Sequence, residues 1–477
     1  MKHLCVISVF LMGLVSVFGQ NHPNIVFIFA DDMGYGDLSC LNPDSKLETV
    51  RLDNLASEGI VFTNAHSAGS TCVPSRYGLM TGRMPWRNGT SLGLKNHVPL
   101  IDDKRLTLPK VLNQAGYQTA AFGKWHLGWH WPWKESIEKR NSRNLLVENL
   151  DFSRKIEGGP PGIGFDYSFG VDEATFPNAF IEDGYTLGIP DSEVSLGEGR
   201  KPGIGVKDWD IYDMMPELTR RVVRHIEDNQ SSEKPFFIYF AMTAPHTPLV
   251  PTDKFKGTSG IGPYGDFVLQ CDQSVGAVLD ALDRTGLAEN TLVIFTSDNG
   301  SPAKNQGTKK GTILQTGHSP SGIQSGFKGD ALEGGHHIPF IVRWPGVAPA
   351  GKNTNDLFCL VDMLATVAAL TGQDVPANAA EDSISALPLL MGKDSDSGTR
   401  DYLVHHSQTL FHSRKGDWKL IFGSGSGGLE KNSGKSDPDA WQLYNLGSDP
   451  SELNNLYRQY PEIEESLEQL LIHEKKK

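Results

Sequence analysis

Three stretches constrain the fold more than anything else in the chain. Asn24-Ile25-Val26-Phe27-Ile28-Phe29-Ala30, Pro235-Phe236-Phe237-Ile238-Tyr239-Phe240-Ala241 and Thr291-Leu292-Val293-Ile294-Phe295-Thr296-Ser297 are apolar without alternation. A strand with one wet face alternates; a continuous run is buried on both faces, as in a parallel sheet covered by helices. Helical patterns run from Pro109 to Ala115, closing on Gly116, from Pro216 to Asp228, from Asp266 to Leu282, and from Asp356 to Leu370, closing on Gly372. Pro near the start and Gly beyond the end suit helix boundaries. This alternation predicts a layered α/β domain with a large, mostly parallel central sheet.

Residues 127–215 depart from the pattern, with several tryptophans, a Gly-Gly-Pro-Pro run at 158–161 and few clear periods, and read as long loops over a scaffold. After about residue 395, Asp401–Ser407, Asp417–Phe422 and Trp441–Leu446 read as short strands, Gly423–Lys435 as a flexible loop and Pro461–Ile472 as a closing helix. We therefore expect three parts: a leader at 1–19, a catalytic domain at 20–395, and a C-terminal α+β subdomain with a small antiparallel sheet at 396–477. No internal repeat of 20–50 residues is present, which argues against a solenoid or propeller.

The 477 residues carry 38% hydrophobic and 21% charged side chains and a formal net charge of −13. That balance excludes a disordered chain, a collagen-like fibre and a coiled coil. The acidic excess argues against general nucleic-acid or anionic-membrane binding, so an anionic substrate would need cations concentrated locally. Met1-Lys2-His3 followed by the apolar run Leu4–Phe18 is too short for a bilayer core of ~30 Å. It reads as a secretory signal peptide cleaved after Gly19, which predicts a periplasmic or secreted protein. Of five cysteines, Cys5 leaves with the leader; Cys40, Cys72, Cys271 and Cys359 allow two disulfides, or one if a cysteine is used chemically. No Cys/His zinc spacing occurs.

Two acidic pairs each follow a buried strand directly: Asp31-Asp32 and Asp298-Asn299. Ligands of parallel α/β sheets bind at the carboxyl ends of strands, and four hard oxygens converging there suit Ca2+ or Mg2+. Ordinary turns are the bland alternative for either pair alone. Thr71-Cys72-Val73-Pro74-Ser75-Arg76 opens a helix running to about Met80 and stopped by Gly82. Cys72 then sits at a helix start, where backbone N–H groups favour anions, with Arg76 one turn on. Lys124 and His126, two apart on an extended segment, face one way; His246 follows a buried strand and Lys328 lies between glycines.

Cys72-Val73-Pro74-Ser75-Arg76 with Tyr77-Gly78-Leu79-Met80-Thr81-Gly82-Arg83 resembles the signature of the type I, formylglycine-dependent sulfatases. The resemblance extends through Asp31-Asp32-Met33-Gly34-Tyr35-Gly36-Asp37, Gly123-Lys124-Trp125-His126-Leu127-Gly128, Thr296-Ser297-Asp298-Asn299-Gly300, Gly326-Phe327-Lys328-Gly329 and Gly416-Asp417-Trp418-Lys419-Leu420. It implies an alkaline-phosphatase-like fold and conversion of Cys72 to formylglycine by a formylglycine-generating or equivalent maturation enzyme. It also implies one Ca2+ held by Asp31, Asp32, Asp298, Asn299 and the modified Cys72. In the implied mechanism the hydrated aldehyde, aided by Ca2+ and Asp298, attacks sulfur. Arg76, Lys124 and Lys328 balance charge, His246 or Lys328 protonates the leaving alcohol, and His126 helps reform the aldehyde and expel sulfate.

The chain is similar to bacterial polysaccharide sulfatases and N-acetylgalactosamine-6-sulfatase-like enzymes. We therefore expect a sulfated oligosaccharide substrate, released from a polysaccharide such as an algal polysaccharide or glycosaminoglycan and cleaved from its end. His405 and His406 are candidates for sugar contacts, and Trp129, Trp131, Trp133 and Phe176 for stacking on sugar rings. Many relatives carry Arg where this chain has His337, which we expect to alter a nearby subsite. The alternatives are a phosphate or phosphonate ester hydrolase of the same superfamily, and a catalytically silent carbohydrate-binding relative.

Overall fold

Strand β1 (Asn24–Asp31) is buried at every position, as its unbroken apolar run demands. It sits inside a ten-stranded sheet. The computed structural model describes residues 22–89, 98–137, 146–302, 313–393, 399–429 and 433–477; the expected leader lies outside them. The other strands, in chain order, are β2 (Ile60–Phe62), β3 (Gln118–Lys124), β4 (Tyr167–Val171), β5 (Ile181–Glu182), β6 (Tyr185–Thr186), β7 (Phe236–Pro245), β8 (Thr291–Ser297), β9 (Phe340–Arg343) and β10 (Lys352–Thr354). The spatial order is β10-β2-β9-β8-β1-β7-β3-β4-β5-β6. The pairs of β1 with β7 and β8, of β7 with β3 and of β3 with β4 are parallel, so β8, β1, β7, β3 and β4 form a parallel run of five.

Two cores cover the two faces, and alternate residues of β1 divide between them. Ile25, Phe27 and Phe29 pack with α2 (Cys72–Thr81), α3 (Leu108–Gln114) and α6 (Met363–Thr371). Val26, Ile28 and Ala30 pack with α1 (Val50–Ser57), α4 (Met214–Asp228) and α5 (Pro263–Thr285). Of the parallel strands, β3 and β4 escape the apolar-run criterion, and each carries a glycine where the chains touch. A Cβ at Gly123 would lie 1.7 Å from the Ala241 carbonyl oxygen, and one at Gly170 would lie 1.9 Å from that of Gly123. The helix expected from Asp356 begins later, at Met363, after a short strand Phe358–Cys359 and a 3-10 turn. The Asp362 carboxylate accepts the Cys359 N–H at 3.0 Å and pairs with Arg400 at 2.6 Å, which fixes the turn.

The C-terminal sheet is antiparallel: β11 (Tyr402–His406), β12 (Phe411–Lys415), β13 (Trp418–Ile421) and β14 (Gln442–Asn445), closed by α7 (Pro461–Lys476). The polar β12, Phe-His-Ser-Arg-Lys, offered no sequence signal. Within the expected loop 423–435, Ser424–Gly425 pairs with Gly434–Lys435, and residues 430–432 lie outside those described.

A buried polar cluster fastens this sheet to the large one. Lys419 Nζ lies 2.8 Å from Glu333 and 2.9 Å from Glu452, and Arg414 lies 3.3 Å from Glu333. His66 and His336 meet Nδ1 to Nδ1 at 3.0 Å, and the His405 and His412 rings pack on His336 at 4.8 and 4.6 Å. Burial pushes Glu333 up, but the Lys419 and Arg414 cations outweigh it and hold the carboxyl well below its usual range.

Burial drives the histidines the other way: His66, His336 and His412 well below 6.5, His405 to about 3 and His337 to about 4. These imidazoles stay neutral in the fold and take protons once unfolded, so their contribution is complete above pH 6.5 and is lost as pH falls below it. Each adds a slope of roughly 1.4 kcal/mol per pH unit there. Glu452, raised to about 7 by burial, opposes them by one proton. Urea unfolding between pH 8 and 5 should give a midpoint that declines from pH 6.5 downward; a profile flat to pH 5 would contradict the cluster's neutrality.

Candidate active site

Because β1 and β8 are adjacent and parallel, with Ala30 opposite Ser297, their carboxyl ends deliver Asp31-Asp32 and Asp298-Asn299 side by side. Asp32 turns off the strand at φ 70°. Its N–H donates to Asp298 Oδ1 at 3.0 Å, and Asn299 Nδ2 donates to Asp32 Oδ1 at 2.7 Å. Helix α2 starts beneath them: Thr71 is extended, Cys72 is the first helical residue, and Gly82 ends the helix at φ 62°. Cys72 Sγ lies 3.4 Å from Asp31 Oδ1 and 3.8 Å from Asp32 Oδ1.

Three cations close on this group. Lys124, at the end of β3, places Nζ 2.6 Å from Asp31 Oδ2 and 3.9 Å from Cys72 Sγ. Lys328 Nζ lies 2.5 Å from Asp32 Oδ1 and 3.0 Å from Cys72 Sγ. Its loop is tied in on both sides, since Lys328 N donates to Ser301 O at 2.8 Å and Gly329 N to Ser70 O at 2.7 Å. Arg76, without solvent exposure, reaches Asp298 Oδ2 at 2.8 Å, Asp31 Oδ1 at 3.4 Å and the Lys124 carbonyl at 3.0 Å. His246, just past β7, approaches Asp32 Oδ2 at 3.7 Å. His126, at φ 55°, approaches Glu173 at 3.6 Å.

The charges set one another. Burial pushes Asp31 up, but Lys124, His246, Arg76 and Lys328 together hold it well below the carboxylate range. Asp298 is pushed up to about 7 by burial and then by Asp31, with Arg76 opposing. Burial raises the Cys72 thiol well above 9, and Asp298 adds to it. Burial, then Lys124, lowers both His126 and His246.

Four ligand-type side chains, Asp31, Asp32, Cys72 and His246, offer atoms within 4.8 Å of one another. Two buried oxygens here, Asp32 Oδ2 and Asn299 Oδ1, have no hydrogen-bond partner. Orphaned acceptors of this kind are costly unless a cation takes them. Asp31, Asp32, Asp298 and Asn299 therefore fit a hard metal ion. The other such group, His66, Glu333 and His336, is already neutralised by Lys419 and Arg414.

Some sequence candidates lie elsewhere. His405 is fully buried in the polar cluster, and His406 packs on Phe411 at 4.3 Å. Neither reaches the centre, because the alternation of β11 turns one into the interface and the other onto β12. Trp129 and Trp131 are buried, and Trp131 meets Phe152 and Phe176 edge-on, so these aromatics pack the loops on the sheet. Trp133 also packs partly buried against that core. Cys40, Cys72, Cys271 and Cys359 are all free thiols. Glu173, beside His126, carried no sequence signal, being one carboxylate in a loop.

The family model for sulfatases matches residues 23–373, and one for the C-terminal part of N-sulphoglucosamine sulphohydrolase matches residues 330–477. The chain belongs to the sulfatase family. This sulfatase is 36% identical to the N-acetylgalactosamine-6-O-sulfatase of Bacteroides thetaiotaomicron, over 95% of this chain and 93% of that one. It is 32% identical to human arylsulfatase A, over 94% of this chain and 87% of the relative. A solved structure described under the metabolism of multiple glycosaminoglycans by Bacteroides thetaiotaomicron superposes with a TM-score of 0.82 at 33% identity, covering 96% of this chain and all of that one. The fold is accordingly alkaline-phosphatase-like, the enzyme a sulfuric ester hydrolase, and the family implies a metal ion and a formylglycine.

Arg76 compensates two buried carboxylates at once. Removing one partner of such a buried pair typically costs ~3–5 kcal/mol. Arg76→Ala should lower the unfolding free energy by about that amount in urea titration, where a change below ~1 kcal/mol would show Arg76 to be dispensable to the fold.

Proposed function

We propose that this sulfatase hydrolyses sulfate esters of carbohydrates after export, releasing alcohol and inorganic sulfate, and that the 6-sulfate of N-acetylgalactosamine is the first substrate to test. The observation that carries the chemistry is the charge balance around Cys72. Arg76, Lys124 and Lys328 face Asp31, Asp32 and Asp298. A divalent ion bound beside Asp298 would keep that carboxyl ionised, so the six side-chain charges would cancel and the ion's charge would suit a sulfate ester, a monoanion that gains charge at its leaving oxygen. The choice of sugar is supported by the relatives named above, and export by the short apolar run ahead of β1.

Cys72 as a thiol is a poor nucleophile, because burial keeps it protonated. That supports its use as formylglycine. When bound, the metal and the formylglycine supply a Lewis acid and an activated hydroxyl; Ca2+ is the ion we assign, on the all-oxygen donor set. Lys124 and Lys328, within 3.9 and 3.0 Å of Cys72 Sγ, hold the sulfate oxygens. Arg76 keeps Asp298 and Asp31 in place. His126, kept neutral by burial, would accept a proton from the formylglycine at position 72. His246 holds Nδ1–H on the Thr247 carbonyl at 2.6 Å, so its Nε2 is the face available for proton transfer. In this reading residues 20–395 carry the chemistry and 396–477 close the fold around Glu333.

Free sulfate measured from N-acetylgalactosamine 6-sulfate, other sulfated sugars, sulfated oligosaccharides and matched phosphate esters tests the proposal. Sugar sulfates should be turned over, faster as oligosaccharides than within intact polysaccharide, and phosphates poorly. Cys72→Ala and chelation should each abolish turnover, Ca2+ restoring the latter. Turnover confined to phosphate esters, or an active Cys72→Ala, would refute it. The general acid is identified by leaving-group dependence: loss of the acid should cost roughly 10²–10⁴-fold on a sugar sulfate but far less on 4-nitrophenyl sulfate, whose phenolate leaves unaided. Comparing His246→Ala and Lys328→Ala on both substrates makes the assignment.

A further inference from the structure

A second cleft of about 430 Å3 opens at the seam between the large sheet and the C-terminal sheet. Its size is within the ~300–1,000 Å3 of small-molecule sites. One wall is the segment after β2, including Thr63 and Asn64; others are Tyr35, Gln324, His337, Arg414 and Asp417. Since β2 is three strands from β1, at ~4.8 Å per strand, the Thr63–Asn64 wall lies about 14 Å across the strands from β1.

Its lining holds polar groups that the fold leaves unspent. Gln324 Oε1 is buried without a partner, while Gln324 Nε2 donates to His337 Nδ1 and His337 Nε2–H donates to Thr63 O at 3.0 Å. That relay fixes the amide so that its oxygen stays free. Arg414 spends Nε on the Gly416 carbonyl and Nη1 on His66 and Glu333, which leaves Nη2. Among the described residues, no hydrogen bond engages the Tyr35 hydroxyl or the Asp417 carboxylate. The Tyr35 ring rests 4.4 Å from that of His337, which backs it as a flat wall.

The charge has a sign. Asp44, Asp417 and Glu333 line the cleft with Arg414 as the one cationic side chain, and Glu333 is already matched by Lys419. A sulfated group would meet the two remaining carboxylates. Hydroxyls, which donate to Asp417 and accept from Arg414 and Tyr35, would not. A ring with an apolar face would also lie on Tyr35.

We propose that this cleft is an accessory binding site for a neutral sugar of one or two rings, separate from the catalytic centre. The choice of a sugar among neutral polyols rests on the function proposed above. Isothermal titration of the mature, metal-loaded protein with lactose as the neutral probe and N-acetylgalactosamine 6-sulfate as the anionic one tests this. Lactose should bind saturably, with the same affinity in Cys72→Ala, and at least tenfold more weakly in Asp417→Ala, Gln324→Ala and the near-isosteric Tyr35→Phe. The Asp417 and Gln324 variants should hydrolyse 4-nitrophenyl sulfate as the parent does, which also shows that they are folded. No saturable binding of lactose, binding that survives all three substitutions, or its displacement by inorganic sulfate would overturn the proposal. Failure to desulfate any sugar would instead count against the catalytic reading, since lactose binding is measured without turnover.

Discussion

Buried charge compensation at the carboxyl ends of two neighbouring strands governs this structure. Asp31 and Asp298 have no solvent exposure, and water cannot stabilise them there. They stay in place because Arg76 and Lys124, equally buried, meet them at 2.6–2.8 Å. Each cation comes from a different element, α2 and β3, so the geometry of the sheet and of the helix above it must be right together. Gly123 lets β3 lie close against Ala241 of β7, where Lys124 reaches Asp31, and Gly170 does the same for β4 against β3.

The same principle recurs at a distance from the chemistry. Glu333 and Glu452 are buried against Lys419 and Arg414, with neutral histidines filling the space around them. The Glu333–His336 turn lies directly behind Asn299: Gly300 N donates to Gly335 O at 3.0 Å, and a Cβ at Gly300 would lie 1.9 Å from Gly334 O. The C-terminal sheet is thereby connected to the catalytic loop through backbone contact that tolerates no side chain. It also contributes Arg414 and Asp417 to the second cleft, so that cleft exists only when both sheets are assembled.

Much of the centre could be read from the chain because its charged residues are adjacent in sequence to features with strong signals. Asp31-Asp32 and Asp298-Asn299 follow unbroken apolar runs, and Cys72 and Arg76 share one helical turn. The strands β3 and β4 were not visible in this way, since glycine removes the apolar signal at the point where the chains touch. His405 and His406 are candidates by sequence because their stretch resembles one in bacterial sulfatases similar to N-acetylgalactosamine-6-sulfatase. In the fold, β11 spends them on packing, and nothing in the local sequence distinguishes the two uses. By sequence the tryptophans of residues 127–215 suit a sugar ring and a loop core equally well, and the fold buries Trp129 and Trp131 in the core.

The sequence by itself determined the parallel sheet, the two acidic corners and the helix that starts at Cys72, because apolar continuity, strand ends and helix starts are local properties. Tertiary structure decided the rest. Which lysine meets which carboxylate, that Asp32 and Asn299 keep free oxygens for a cation, that five histidines remain uncharged, and that Gln324 and Arg414 face one cleft all depend on residues tens to hundreds of positions apart. Burial and charge proximity set these properties, and both are defined by distance in space, which no window along the chain contains.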